Sequence, residues 1–92
     1  MNTHTLKIDP DYWEDIANGK KTFEVRVNDR DYRVGDNLVL RKFSRTTNVY
    51  IERNRALLCN VTYIEDLGRI GLEGYVGMQL KVDGILKVVD NK

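Results

Sequence analysis

The sequence is short of the residues that anchor much recognisable chemistry: its 92 positions hold one cysteine, Cys59, one histidine, His4, and one proline, Pro10. A single cysteine excludes an intramolecular disulfide and any cysteine-rich metal knuckle. A single histidine, with no carboxylate cluster at metal-ligand spacing, argues against a metal-dependent nuclease, and neither a metal nor another cofactor is expected. There is no glycine-rich phosphate loop, which together with the short chain rules out P-loop and dinucleotide folds. The apolar stretches fall far below the ~20 residues a membrane-spanning helix needs. The opening "MNTHTLKIDP" has no secretory character, so a cytoplasmic protein without a membrane partner is expected.

What remains is enough for one small domain, residues 1–92, with no linker or internal repeat. Cys59, in "LLCNVTY", shares an alternating face with Leu57, Val61 and Tyr63 and reads as a buried structural thiol. The net charge of +1 is unremarkable, but its distribution is uneven. Residues 41–55, "RKFSRTTNVYIERNR", carry Arg41, Lys42, Arg45, Arg53 and Arg55 against Glu52 alone, with Phe43 and Tyr50 between them. Basic residues interleaved with aromatics are the footprint of a segment that meets phosphates and stacks bases; a solvated hairpin carries the same composition.

In "DPDYWEDIANG", Asp9 is a good N-cap, Pro10 fits the first helical position, and Gly19 closes the helix in a left-handed conformation. Tyr12 or Trp13, with Ile16 and Ala17, supplies its buried stripe. The rest reads as strand and turn. "HTLKI" opens the sheet with Leu6 and Ile8 on one face. "KTFEVRV" alternates, with Phe23, Val25 and Val27 assigned to the core and Thr22, Glu24 and Arg26 to the opposite face. "ALLCNVTYI" is the apolar strand expected at the sheet centre. "YVGMQLKV" and "ILKVV" are expected to form a C-terminal hairpin about the turn Asp83-Gly84. The fold class predicted is α+β, mainly β: a small antiparallel pseudo-barrel of five to seven short strands with one early helix.

The most charged strand raises the functional question. "GKKTFEVRVNDR" places Lys21, Glu24, Arg26, Asn28 and Arg30 within a few residues of one another, as though around an anionic ligand. Glu24 and Arg26 share a face about 7 Å apart along the strand, and Lys21 enters from the helix–strand junction. A cross-strand ion-pair ladder is the plain structural alternative, and Asp29, Arg30 and Asp31 also read as a turn. Arg26 or Arg30 is suited to a bidentate phosphate grip, Lys21 to a point charge, and Asn28 to a base edge.

Gly19-x-Lys21-x-x-Glu24-x-Arg26 resembles the G-x-K-x-x-E-x-R signature of the ASCH domain, a branch of the PUA-like β-barrel superfamily. With "NDRDYRVGD" and a late "GY", the arrangement over roughly residues 4–80 is similar to a subfamily of small bacterial and phage or prophage ASCH-like proteins. The resemblance implies a cleft beside the early helix containing Lys21, Glu24 and Arg26, and an RNA or modified-nucleotide partner. Arg41, Lys42, Arg45, Arg53 and Arg55 would then extend the contact along the nucleic-acid backbone.

Some relatives of this kind are ribonucleases or hydrolyse a modified nucleoside. The latter use a lysine with a threonine three residues on, where this sequence has Glu24, and a distant glutamate for which Glu73 is the candidate. An enzymatic reading would rest on Lys21 and Glu24 as catalytic residues, with His4 as a possible proton carrier in a metal-independent ribonuclease. A third reading is a phage-type effector that binds a protein partner through the basic segment.

Overall fold

A computed structural model describes residues 1–88. In chain order it consists of β1 (Thr3–Ile8), α1 (Pro10–Ala17), β2 (Phe23–Val27), β3 (Asn37–Ser44), β4 (Val49–Tyr50), β5 (Arg55–Asp66), a 3₁₀ turn (Leu67–Ile70) and β6 (Tyr75–Lys87). The class is α+β and mainly β, with six strands in one sheet and one short α-helix. The main path runs β1-β3-β5-β6-β2, and β4 pairs with β3 alone. β5, the apolar strand, stands at its centre.

Helix α1 forms for local reasons. The Asp9 carboxylate accepts the Asp11 N–H at 2.8 Å and Pro10 occupies the first turn. At the other end Gly19 has φ +87°, a conformation that only glycine adopts without strain. The helix buries Trp13 and Ile16, and the Trp13 indole N–H donates to the Leu40 carbonyl of β3 at 2.8 Å. Around this anchor pack Leu6 and Ile8 of β1, Leu38 and Leu40 of β3, Leu57, Cys59 and Val61 of β5, and Val76, Met78 and Leu80 of β6.

Several expectations are corrected. The sheet is not wholly antiparallel, because β1 runs parallel to β3 from Thr3↔Asn37 to Ile8↔Lys42. Nor are all strands short: β5 has 12 residues and β6 has 13. The expected hairpin at Asp83-Gly84 is instead a bulge within continuous β6. Leu58 faces Gly84 while Cys59 faces Val82, leaving Asp83 as the extra residue. Of the segment "ILKVV", Val89 lies outside the described residues. A second irregularity, between Val61 and Tyr63, lets Tyr63 turn to solvent although Cys59 and Val61 are buried, so these residues do not share one face throughout.

Strand β2 is inverted relative to its predicted orientation. Phe23, Val25 and Val27 are 51%, 43% and 48% exposed, whereas Glu24 is only 6% exposed. The register explains this: Glu24 pairs with Met78 and Arg26 with Val76, both buried, so the ionic face of β2 is the inner one. The inward charges are tolerated because they satisfy each other and the neighbouring backbone. Arg26 Nε donates to Glu24 Oε2 at 2.8 Å, and a terminal guanidinium nitrogen donates to the Lys7 carbonyl.

Those bonds also position the site. β1 and β2 are the two ends of the sheet path and do not pair as strands. Arg26 reaches the Lys7 carbonyl, and Arg30 reaches the Thr5 carbonyl at 3.1 Å. Two guanidinium groups therefore bridge the seam of an almost closed barrel.

Candidate functional site

A cleft of ≈ 460 Å³ opens beside β2, next to this seam. β2 supplies Glu24 and Arg26 to it, and the loop after β2 supplies Asp29, Arg30 and Tyr32. Asp9 and Tyr12 come from the start of α1, Arg45 from the hairpin after β3, and Tyr75 from the start of β6. The loop is held in shape locally. The Asn28 side-chain oxygen accepts the Tyr32 N–H at 3.1 Å, the Asn28 N–H donates to the Gly74 carbonyl at 2.8 Å, and Asp31 adopts φ +51°. This conformation folds the Tyr32 ring under the loop, where it packs edge-on against His4 with centroids 4.8 Å apart.

The sequence-derived candidates separate into groups. Glu24, Arg26 and Arg30 line the cleft together. Lys21 is not part of its lining; its ammonium lies 3.9 Å from the Phe23 ring centroid and 4.9 Å from that of Tyr12, a cation–π arrangement on the outer side of β2. Asn28 shapes the loop from behind rather than lining the cleft. Glu73 is exposed and also stands outside the lining.

The basic segment divides in the same way. Arg45 is exposed and reaches the cleft, and Arg53 is exposed. Lys42 is 5% exposed and bonds both Glu14 and Glu52, with its ammonium 4.3 Å from the Trp13 centroid. Burial alone would lower its pKa, but the two carboxylates hold the ammonium above its usual range. The expectation that Lys42 meets a nucleic-acid backbone is therefore corrected: its charge is turned inwards and already paired. Arg41 lies 4.7 Å from the Tyr50 ring centroid and donates to the Arg53 carbonyl at 3.1 Å. Arg55 packs 5.2 Å from the Trp13 centroid and bonds Glu52 at 3.2 Å. These two half-buried cations are committed to the protein's own groups.

His4 is held behind the cleft wall. Its Nε2 lies 2.9 Å from Asp36 Oδ2, and Asp36 also accepts the backbone N–H groups of Asn2 and Arg33, each at 3.0 Å. Burial pushes the Asp36 carboxyl up, but these hydrogen bonds outweigh it and hold the group below the usual carboxylate range. Cys59 is buried, and burial with the nearby charges of Asp83 and Glu24 pushes its thiol up to about 12, far from a reactive thiolate. Among the described residues, no three His, Cys, Asp or Glu side chains gather as a metal site. Likewise, no helix among them is long and apolar enough to cross a membrane.

Sequence reasoning missed the aromatic half of the cleft. Tyr12 was assigned only to a helix stripe, Tyr75 only to a strand start and the late "GY", and Tyr32 was given no role inside "NDRDYRVGD". Tyr32 is 5% exposed, yet no hydrogen bond from the described residues reaches its hydroxyl. The charges acting on that hydroxyl are Arg26, Arg30, Asp29 and Glu24, all in the cleft lining. Burial, the largest influence, raises its pKa despite the two arginines, so the hydroxyl stays protonated at neutral pH.

Residues 3–80, carrying the whole seam and cleft, match the family model DUF3850, described as a domain of unknown function. The chain belongs to the DUF3850 family. Comparison with curated proteins finds no match. Every cleft residue of this DUF3850 domain falls within the matched span, as do Lys21, the His4–Asp36 pair and the basic hairpin.

Proposed function

We propose that this DUF3850 domain binds a nucleotide, free or as part of single-stranded RNA, in the cleft beside β2, as an ASCH-type member of the PUA-like superfamily. The observation that carries the reading is the composition of the cleft. Arginines 26, 30 and 45 meet tyrosines 12, 32 and 75 in a concavity of ≈ 460 Å³, within the usual range for small-molecule sites. Arginine suits phosphate through its planar fork of donors, and tyrosine offers a flat apolar face for a base. Exposed Arg30 and Arg45 suit the phosphate; Arg26, locked to Glu24 and the Lys7 carbonyl, preserves the shape of the floor. Glu24 gives the cleft an anionic group deeper in, so the ligand is expected to present its phosphate outwards and a polar neutral edge inwards.

The test is fluorescence anisotropy of a labelled mixed-sequence RNA 12-mer at 50 and 200 mM salt, with Arg45→Ala and Tyr12→Ala variants. Both residues are exposed, so their removal leaves the fold intact. Binding that weakens in each variant, with a shallower salt dependence for Arg45→Ala, supports the reading. No binding to the 12-mer or to mononucleotides at 50 mM salt refutes it, and binding unchanged in both variants places the RNA elsewhere on the protein. RNA cleavage in the same samples, absent on Lys21→Ala or Glu24→Gln substitution, would make the domain a ribonuclease.

A further inference from the structure

The cations around the hairpin of β3 and β4 fall into two sets according to what holds them. Lys42 and Arg55 are neutralised, Lys42 by Glu14 and Glu52, and Arg55 by Glu52. Lys7 and Arg41, register partners on the neighbouring strands β1 and β3, are held by aromatic rings instead. The Lys7 ammonium lies 4.4 Å from the Phe43 ring centroid and 5.9 Å from that of Tyr50, and the Arg41 guanidinium lies 4.7 Å from the Tyr50 centroid. Phe43 and Tyr50 are themselves register partners, packed edge-on with centroids 5.2 Å apart. Neither cation forms an ion pair with a carboxylate among the described residues. A π face steadies a cation without cancelling its charge, so this outer set keeps a positive field that the inner set has lost.

Lys7 also borders the cleft on two sides. Its carbonyl accepts the guanidinium of Arg26, a cleft residue, and the hairpin that brings Tyr50 to its ammonium also brings Arg45 to the cleft. The Lys7 side chain is exposed and does not line the cleft itself. We propose that Lys7, steadied on the Phe43–Tyr50 pair, receives the backbone phosphate of a second nucleotide, so that the ligand of this domain is a strand of single-stranded RNA rather than a free mononucleotide. This rests on the nucleotide reading above. A phosphodiester suits the place. The lysine is a compact point charge with three donors, and the two rings already restrict its stem, which lowers the ordering cost of the contact. Arg41 gives a donor to the Arg53 carbonyl at 3.1 Å and adds its field to the same spot. A mononucleotide whose one phosphate sits at Arg30 and Arg45 has nothing to offer Lys7; a strand does.

Fluorescence anisotropy of the labelled RNA 12-mer tests this, with unlabelled 12-mer, nucleoside 5′-monophosphates and polyglutamate as competitors, in wild type, Lys7→Met, Lys7→Arg and Arg45→Ala. Methionine keeps an unbranched stem over Phe43 and the main-chain carbonyl that Arg26 uses, and removes only the charge. Lys7→Met should weaken 12-mer binding about eightfold at 50 mM salt and about threefold at 200 mM, the counterion-release effect of one single-strand phosphate contact referred to 1 M salt. Its affinity for the monophosphates should equal that of wild type, which also shows that the cleft is intact. Lys7→Arg should restore 12-mer affinity, and Arg45→Ala should weaken 12-mer and monophosphates alike. A 12-mer affinity unchanged in Lys7→Met, or a loss shared equally by the monophosphates, would overturn the assignment while leaving nucleotide binding in place. Displacement of the labelled RNA by polyglutamate as readily as by unlabelled 12-mer would also overturn it, and would mark a surface for acidic polypeptides. Binding of neither the 12-mer nor the monophosphates by wild type removes the nucleotide reading and this inference with it.

Discussion

Replacing Arg26 with methionine tests whether the inward ionic face of β2 holds the barrel together. Two losses are expected. The first is the ion pair: the Glu24 side chain is 8% exposed and Arg26 21%, so the carboxylate is left uncompensated in a nearly dry site. Breaking a fully buried pair costs about 3–5 kcal/mol, and the partial exposure of Arg26 reduces this to about 2 kcal/mol. The second is the bond to the Lys7 carbonyl across the seam, worth about 1 kcal/mol. The expected total of about 2–3 kcal/mol would lower the melting temperature of a domain this small by on the order of 10 °C. Urea titration of wild type, Arg26→Met, Glu24→Gln and the double variant measures both the total and the pairwise coupling, which should exceed about 1 kcal/mol. Arg26→Lys should recover only part of the loss, because an ammonium does not span both acceptors with the geometry of a guanidinium. A change below about 0.5 kcal/mol in Arg26→Met, or additive single substitutions, would refute the claim that these bonds close the barrel.

Three further outcomes follow from the same packing. Val25→Thr, on the outward face of β2, should cost less than about 0.5 kcal/mol by urea titration, as expected of a surface position; a loss above about 1.5 kcal/mol would restore the apolar face to the core. The Asp36 carboxyl is held below its unfolded value of roughly 3.9, so its stabilisation should be complete above that pH and disappear as pH falls through the lower folded value. Melting curves between pH 2 and 6 should accordingly show a shallower acid limb for Asp36→Asn, and an unchanged limb would show that the Asn2, His4 and Arg33 bonds do not shift this group. Cys59, with its thiol pushed up to about 12, should resist a thiol-reactive chromogenic disulfide in the native state at neutral pH and react fully in urea; rapid native labelling would contradict its burial.

What could be read from the sequence was local. The helix was marked by its own caps, Asp9, Pro10 and Gly19, and β5 by an apolar run that no surface strand could carry. The alternation in "FEVRV" correctly separated two faces, but alternation does not say which face is inside. Hydrophobicity favours Phe23, Val25 and Val27; the deciding facts are long-range, namely the Met78 and Val76 register and the unpaired carbonyls of β1 that Arg26 and Arg30 satisfy. The parallel β1–β3 pairing was hidden for the same reason, since strand partners separated by a helix and another strand leave no turn signal between them. Asp83-Gly84 has strong hairpin chemistry, yet the strand continues through it as a bulge because β5 on one side offers a partner along its whole length. The site was half legible for a related reason: its charged residues sit close together in sequence, while Tyr12, Tyr32 and Tyr75 come from separate elements. The one available signal was a tyrosine set among ionic residues in a loop, "NDRDYRVGD", where an aromatic must find cover and Tyr32 finds it under the cleft.

The seam imposes a relation between folding and binding that the signature residues alone would not reveal. Arg26 and Arg30 are arginines in a cleft, which invites the reading of two free phosphate grips, but both already donate to β1 carbonyls. A guanidinium has five donors, so closing the seam uses part of each fork and leaves the rest directed by the backbone of β1. Any ligand oxygen that Arg30 holds is therefore placed relative to Thr5, and Arg26 is fixed relative to both Glu24 and Lys7. Fixing donors in advance reduces the ordering cost of association and makes the cleft selective for shape. The same arrangement should make ligand binding stabilise the seam, because a ligand held by Arg30 from β2's side and by the loop over Tyr32 connects the strands that the sheet itself leaves unpaired. Native-state hydrogen exchange at the β1 and β2 amides should thus slow on ligand addition more than at β5 amides, which are already paired on both sides. Equal slowing in β1, β2 and β5 would mean that the ligand stabilises the fold globally and that the arginine seam is not a separate mobile element.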